Sequence, residues 1–317
     1  MAVKMQLRYD EDFVEGVVFV CANDKRAGIA SLQIRRFNLE RERLYSILDP
    51  DERNSAFFRL HLDWFREWGL EKILNRVLEE FPLLPGALNA LGFRKARAKN
   101  EEGAEMYVSA ETGRNGIVAL RPERFENLES LTCFLRHELT HLQDMIDPAF
   151  GYSPHLQSRG QTTAQQRLTR ERYRLLWDIT IDGRLANSGR ATATNREQHQ
   201  GMFERAYSFW PAEKRETVFK TLWHGRQPRH NDLLAFASDP RDLNSVHEPL
   251  PGACCPLCGF PTFDWADVSR LTPAMLEMIR GEFPDWVSEQ GVCSRCVEAY
   301  NSALKYRDAI PLAAHAN

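Results

Sequence analysis

The sequence predicts an α+β fold: a mainly helical body with a small β-sheet beside one amphipathic helix, followed by a small C-terminal module. Three observations carry this. Apolar residues recur at mixed three and four spacings through much of the chain, and two β-prone runs lie just ahead of a helix predicted at 127–147. Four cysteines then gather in two Cys-x-x-Cys pairs beyond residue 250. The expected domains are 1–249 and 250–317. A chain of 317 residues that is 43% hydrophobic is long enough to bury a sizeable core across two such units.

Composition narrows the function classes. Lys and Arg number 41 against 44 acids, a net charge of −3, so no global attraction to a polyanion such as nucleic acid is expected. The start, "MAVKMQLRYDEDFVEGVVFVCANDK", has only a short apolar run preceded by acids and does not read as a secretory signal. No stretch reaches the roughly 20 apolar residues of a membrane span. A cytoplasmic location away from membranes is the expectation. Seven cysteines are an odd number for a disulfide framework, and the paired four suggest metal thiolates in a reducing compartment. Cys21 and Cys133 read as ordinary buried thiols.

In chain order, "GVVFVCA" and "IASLQIRRF" read as short β-prone runs, and Asn38 to Glu80 reads as scaffold helices. The prolines and glycine of "FPLLPGAL" break these. "MYVSA" at 106–110 and "GIVALRPERF" at 116–125 read as β. Asn127 then caps a helix that ends before Pro148, with Leu128, Leu131, Leu135, Leu139, Leu142 and Ile146 forming its apolar stripe. "GYSPHLQSRGQTTAQQRLTRER" is polar and reads as a long loop or lid, and further helices follow near 167–187, 196–209, 211–224 and 231–237. "SDPRDLNSVHEPLPGA" reads as a linker.

The helix at 127–147 carries "RHELTHLQD". His137 and His141 stand one turn apart on one side, so both imidazoles can approach one ion, while Glu138 projects about 100° around and can reach a water there. Zinc-assisted hydrolysis needs two such ligands and a carboxylate that takes the proton of the attacking water. On these residues the chain resembles the zincin metallopeptidases, which implies a zinc site within an α+β zincin-like core and Glu138 as general base.

A third ligand is sought among three candidates. In "LLWDITIDGRL", Asp178 and Asp182 are four apart on a predicted helix and surrounded in projection by Leu168, Leu175, Ile179, Ile181 and Leu185. Inward carboxylates need partners: a metal, a ligand histidine, or arginines such as Arg174 or Arg184. The pattern is similar to that of the gluzincins, with Asp178 where that family has Glu. The resemblance implies Asp178 as the zinc ligand and Asp182 as the acid that receives a ligand histidine's N–H. His155, reached through a thirteen-residue gap after His141, is the alternative and resembles the later histidine of SprT-like, DNA-associated proteases. Asp147 stands at a metzincin-type distance, but that family turns with glycine where this chain has Asp144. The gluzincin resemblance also implies a downstream His or Tyr that donates to the oxyanion, for which His230, His224 and Tyr207 are candidates. The polar segment 156–170 is the candidate lid.

The C-terminal module supplies Cys255 and Cys258 in "CCPLCGF" and Cys293 and Cys296 in "GVCSRC". Four thiolates in two pairs suit a closed tetrahedral zinc, and the arrangement resembles an elaborated zinc ribbon or treble clef. "LTPAMLEMIRGEFPDW" reads as an inserted helix. With Asp264, Asp267, Glu277, Glu282 and Asp285 the module is hardly basic, which favours a protein partner over nucleic acid. The combined expectation is a metallopeptidase with one catalytic and one structural zinc, acting on a peptide or protein. The alternative is a regulatory protein that keeps the scaffold and metal without turnover.

Overall fold

A computed structural model describes residues 5–24, 28–109, 113–154, 163–238, 249, 251–284 and 286–309. The chain is α+β. It divides into two compact units, Met1–Tyr152 with Asp178–Arg229, and Ser153–Trp177 with His230–Asn317. No described helix is long and apolar enough to cross a membrane.

The first unit is built on a four-stranded sheet of β1 (Gln6–Tyr9), β2 (Ala90–Lys95), β3 (Gly103–Ser109) and β4 (Gly113–Leu120). Its order is β1-β2-β4-β3: β1 and β2 pair in parallel, as do β2 and β4, and β3 closes one edge antiparallel to β4. The first helices of this unit are α1 (Glu11–Asn23), α2 (Ser31–Leu44), α3 (Pro50–Glu67), α4 (Leu70–Leu78), the short α5 (Leu84–Ala87) and α6 (Leu128–Ile146).

Two expectations are corrected here. "GVVFVCA" lies in α1 and "IASLQIRRF" in α2, so neither is a strand. Val14, Val17, Val18 and Cys21 are all buried, at the spacing of one helix face. Burial of that face outweighs the β preference of its valines. The place of the two runs in the sheet is taken by β2, beside β4, and by β1, which pairs with β2 and whose Leu7 and Tyr9 alternate with Gln6 and Arg8.

Helix α6 starts as its sequence indicates, with the Asn127 side chain accepting from the Ser130 N–H at 2.9 Å. Leu131, Leu135, Leu139 and Leu142 are buried in one core with Leu91, Val118 and Leu120 of the sheet. Leu128, counted in that stripe from the sequence, is instead 49% exposed, because the first turn extends past the sheet-facing core. Gly116 permits the close approach: a Cβ there would lie 2.9 to 3.2 Å from side-chain atoms of Leu91, Leu142 and Leu88. Buried Glu102 ties the start of β3 to the turn before α6, accepting from Arg124 at 2.6 and 2.9 Å and from the Arg121 N–H at 3.0 Å.

Helix α7 (Thr163–Asn187) is longer than expected. Its first turns occupy "TAQQRL", part of the stretch read as a loop; 155–162 lies outside the described residues, as does most of the expected linker. Helices α8 (Arg196–Ala206) and α9 (Ala212–His224) complete the first unit. Gly183 of α7 lets α9 close in, since a Cβ at that position would sit 2.3 Å from the Trp223 carbonyl oxygen.

The second unit includes α10 (His230–Ser238), α11 (Pro273–Glu282) and α12 (Ser294–Ala309). The inserted helix read from "LTPAMLEMIR" is α11. A small core of Met275, Ile279, Trp286 and Val292 packs beside the cysteines.

Candidate metal centre

Helix α6 presents its two histidines to the second half of α7. The His141 Nε2 lies 3.0 Å from Asp178 Oδ1, and the His137 Nε2 lies 3.6 Å from the same oxygen. One ligand atom from each of His137, His141 and Asp178 falls within 4.8 Å of the others. Three donors on a tetrahedral zinc with bonds of about 2.0 to 2.2 Å stand about 3.4 Å apart, so the spacing suits such an ion. Nitrogen and carboxylate donors suit it chemically as well.

The other nitrogen of His137 is also engaged. Its Nδ1–H donates to Asp182 Oδ1 at 2.8 Å, and Asp182 is fully buried. This bond keeps a proton on Nδ1, so Nε2 is the nitrogen that a metal would take, on losing its own proton. Burial would lower the His137 pKa, but Asp178 and Asp182 outweigh it and raise it well above the usual value. Burial would likewise raise Asp178 and Asp182, yet their histidine partners hold both below the usual carboxylate range. The arginine-bridged alternative does not describe this pair: Arg184 binds Asp144, at 3.0 Å from one nitrogen and 2.5 Å from the other.

Glu138 is buried and is oriented by the sheet. Its Oε2 accepts the Ala104 N–H of β3 at 2.7 Å. Ala104 pairs with Val118 in the β3–β4 ladder but sends its N–H the other way, toward the sheet's free edge. Along the same strand Met106 and Val108 share that orientation, by the alternation of an antiparallel pair.

The remaining expected residues fall in different places. His155 lies outside the described residues. Asp147 forms the turn that ends α6, where its carboxylate accepts from the Ala149 N–H at 2.8 Å. Tyr207 is fully buried against Phe203 and Trp210, with ring centroids 4.6 and 4.7 Å away, so the core rather than a substrate surrounds it. His224 is exposed, with its Nδ1 3.2 Å from Asn187 Oδ1. His230 is buried in the second unit, 2.7 Å from the Tyr173 hydroxyl.

Within the second unit, Cys255, Cys258, Cys293 and Cys296 converge. The Sγ atoms of Cys255 and Cys296 are 3.9 Å apart, as are those of Cys258 and Cys293. Tetrahedral zinc with Zn–S near 2.3 Å calls for about 3.8 Å. Backbone N–H groups at Cys293, Cys258 and Leu257 outweigh burial and bring the Cys255 thiol down to about 7, whereas burial pushes Cys293 and Cys296 up. Cys254, next in the chain to Cys255, is exposed and lies outside the cluster.

Two groups around Asp182 went unread in the sequence: the His199 Nε2 is 2.7 Å from Oδ2, and the Thr194 N–H donates to the same oxygen at 3.1 Å. The only local signal was the Asn195-x-x-Gln198 capping box that starts α8. Comparison with protein-family models, curated proteins and solved structures finds no match.

Proposed function

We propose that the protein is a zinc metallopeptidase of zincin-like design, with zinc held by His137, His141 and Asp178 and a second, structural zinc held by the four cysteines. The observation that carries this reading is the three-donor cluster with Glu138 one residue from a ligand and oriented by the β3 backbone. A bound zinc ion supplies an acidified water, of pKa near 7, and polarisation of a carbonyl. Glu138 takes the proton of the attacking water and passes it to the departing amine nitrogen. Its Oε2 is held by Ala104, so Oε1 is the atom available for that transfer.

The free edge of β3 supports a peptide as substrate. Outward N–H and C=O groups at Met106 and Val108 can accept an extended chain as an added strand, close to the Ala104 amide that orients Glu138. Main-chain bonding of this kind selects extended peptide over folded protein.

Glu138→Gln tests the reading, since it keeps size and hydrogen bonding but cannot take the proton. Zinc content is expected to stay at wild-type level while cleavage of a peptide library falls by about 10² to 10⁴-fold. A zinc-loaded wild type that cleaves nothing the variant spares would replace the enzyme with a regulatory zinc protein.

A further inference from the structure

The buried chain of polar groups does not stop at Asp182. Its Oδ1 is committed to His137, and its Oδ2 accepts from both His199 Nε2–H and the Thr194 amide. Asp182 is 0% and His199 2% exposed, so neither group is held by solvent. A carboxylate in such a place keeps one orientation only as long as its donors do. Both Oδ2 donors come from one short segment, the entry to α8 and its first turn, which the Asn195 and Gln198 capping box makes rigid.

We propose that His199 is a positioning residue of the His137, His141 and Asp178 centre. Acting through Asp182, it holds the His137 ring in the tautomer and orientation that leave Nε2 for a metal. This rests on the metal reading above. A relay of protons is a different use of the same groups, and the surroundings of His199 disfavour it. Its Nδ1 has no hydrogen-bond partner among the described residues. A neutral ring with its proton on Nε2 leaves only an acceptor unfilled, whereas an imidazolium would bury an unpaired charged N–H at greater cost. The Trp223 ring beside it, with centroids 5.8 Å apart, holds the imidazole in place.

The test uses full-length protein. Zinc affinity is measured by chelator competition in wild type, in His199→Phe and His199→Ala, which lack the donor, and in His199→Gln, whose amide N–H can still reach Asp182. Cobalt substitution reads the two sites separately, because only the cysteine site gives thiolate charge-transfer absorption. The donor-less variants are expected to bind zinc at the histidine site about tenfold more weakly and to shift the cobalt d–d bands. The cysteine site should not change, and His199→Gln should restore most of the affinity.

Donor-less variants with wild-type affinity and spectrum would overturn the proposal. So would a Gln variant as weak as Phe. Because a buried substitution can prevent folding, the wild type supplies a second measurement: ¹⁵N shifts of the metal-loaded protein should show His199 protonated on Nε2 alone, and a proton on Nδ1 overturns the assignment. A wild type that binds metal only at its cysteines would instead remove the metal reading itself, a distinguishable result.

Discussion

The histidine centre and the cysteine cluster assemble donors at similar spacing by opposite means. In the cysteine module, a turn at Cys255–Cys258 and the start of α12 at Cys293–Cys296 bring four identical thiols together beside a core of only a few side chains, and a closed set leaves no position for a substrate. In the first unit, three mixed donors stand on two long helices, and a buried network extends from Asp178 through His137 and Asp182 to His199. The difference teaches where the stability of each site comes from. If zinc binds as proposed, the module would depend on its ion for folding, whereas the histidine centre would be held in shape by the large core around α6.

The largest test of that contrast is Cys255→Ser with Cys258→Ser. Structural zinc in small domains contributes about 10 to 16 kcal/mol of apparent binding energy, which is also folding energy. Metal analysis should show one zinc lost per chain, and limited proteolysis should find residues beyond 250 newly cleaved, with the histidine centre still loaded. Loss of both ions together would break the comparison.

Asp182→Ala sharpens the other side. Without the acceptor for the His137 Nδ1–H, zinc affinity at the histidine centre should fall by about 10 to 100-fold, with the cysteine site unchanged. Equal affinity in competition titrations would mean that the α6–α7 packing alone orients the ligands.

Gly183→Ala probes that packing directly. Its Cβ would press against the Trp223 backbone, which cannot swing aside as a side chain can. A loss of about 1 to 3 kcal/mol is expected in denaturant melts. An unchanged midpoint would show that α9 moves freely.

The smallest effect is in pH. The raised pKa of His137 stabilises the metal-free fold fully below the unfolded value of about 6.5, and that contribution is lost as pH rises through the folded value. The lowered values of Asp178 and Asp182 work in the other direction: their contribution is present above about 3.9 and lost as pH falls through the folded values. Metal-free protein should therefore gain most from this cluster between about pH 4 and 6.5. Zinc must displace the His137 proton, so the zinc-induced rise in melting temperature should grow from pH 6 to 8. The cysteine site has several protons to release, with Cys293 and Cys296 pushed up, and its affinity should change more steeply with pH. Equal slopes, measured in variants that keep one site each, would contradict the protonation states inferred here.

Local spacing was legible in the sequence wherever a single element sets geometry. The Asn127 cap, the one-turn separations of His137 from His141 and of Asp178 from Asp182, and the Cys-x-x-Cys pairs all follow from backbone rules acting over four residues or fewer. Three-dimensional packing decided the rest. It turned "GVVFVCA" into a helix, paired β1 with β2 and β2 with β4 in parallel, sent the Ala104 N–H to Glu138, and brought His199 to Asp182. Those choices join residues distant in the chain, and they are made by which apolar faces can be buried together. No local preference encodes that sum, so the clustered residues and Asp182 could be read from the sequence, while Ala104, Thr194 and His199, which orient Glu138 and Asp182, could not.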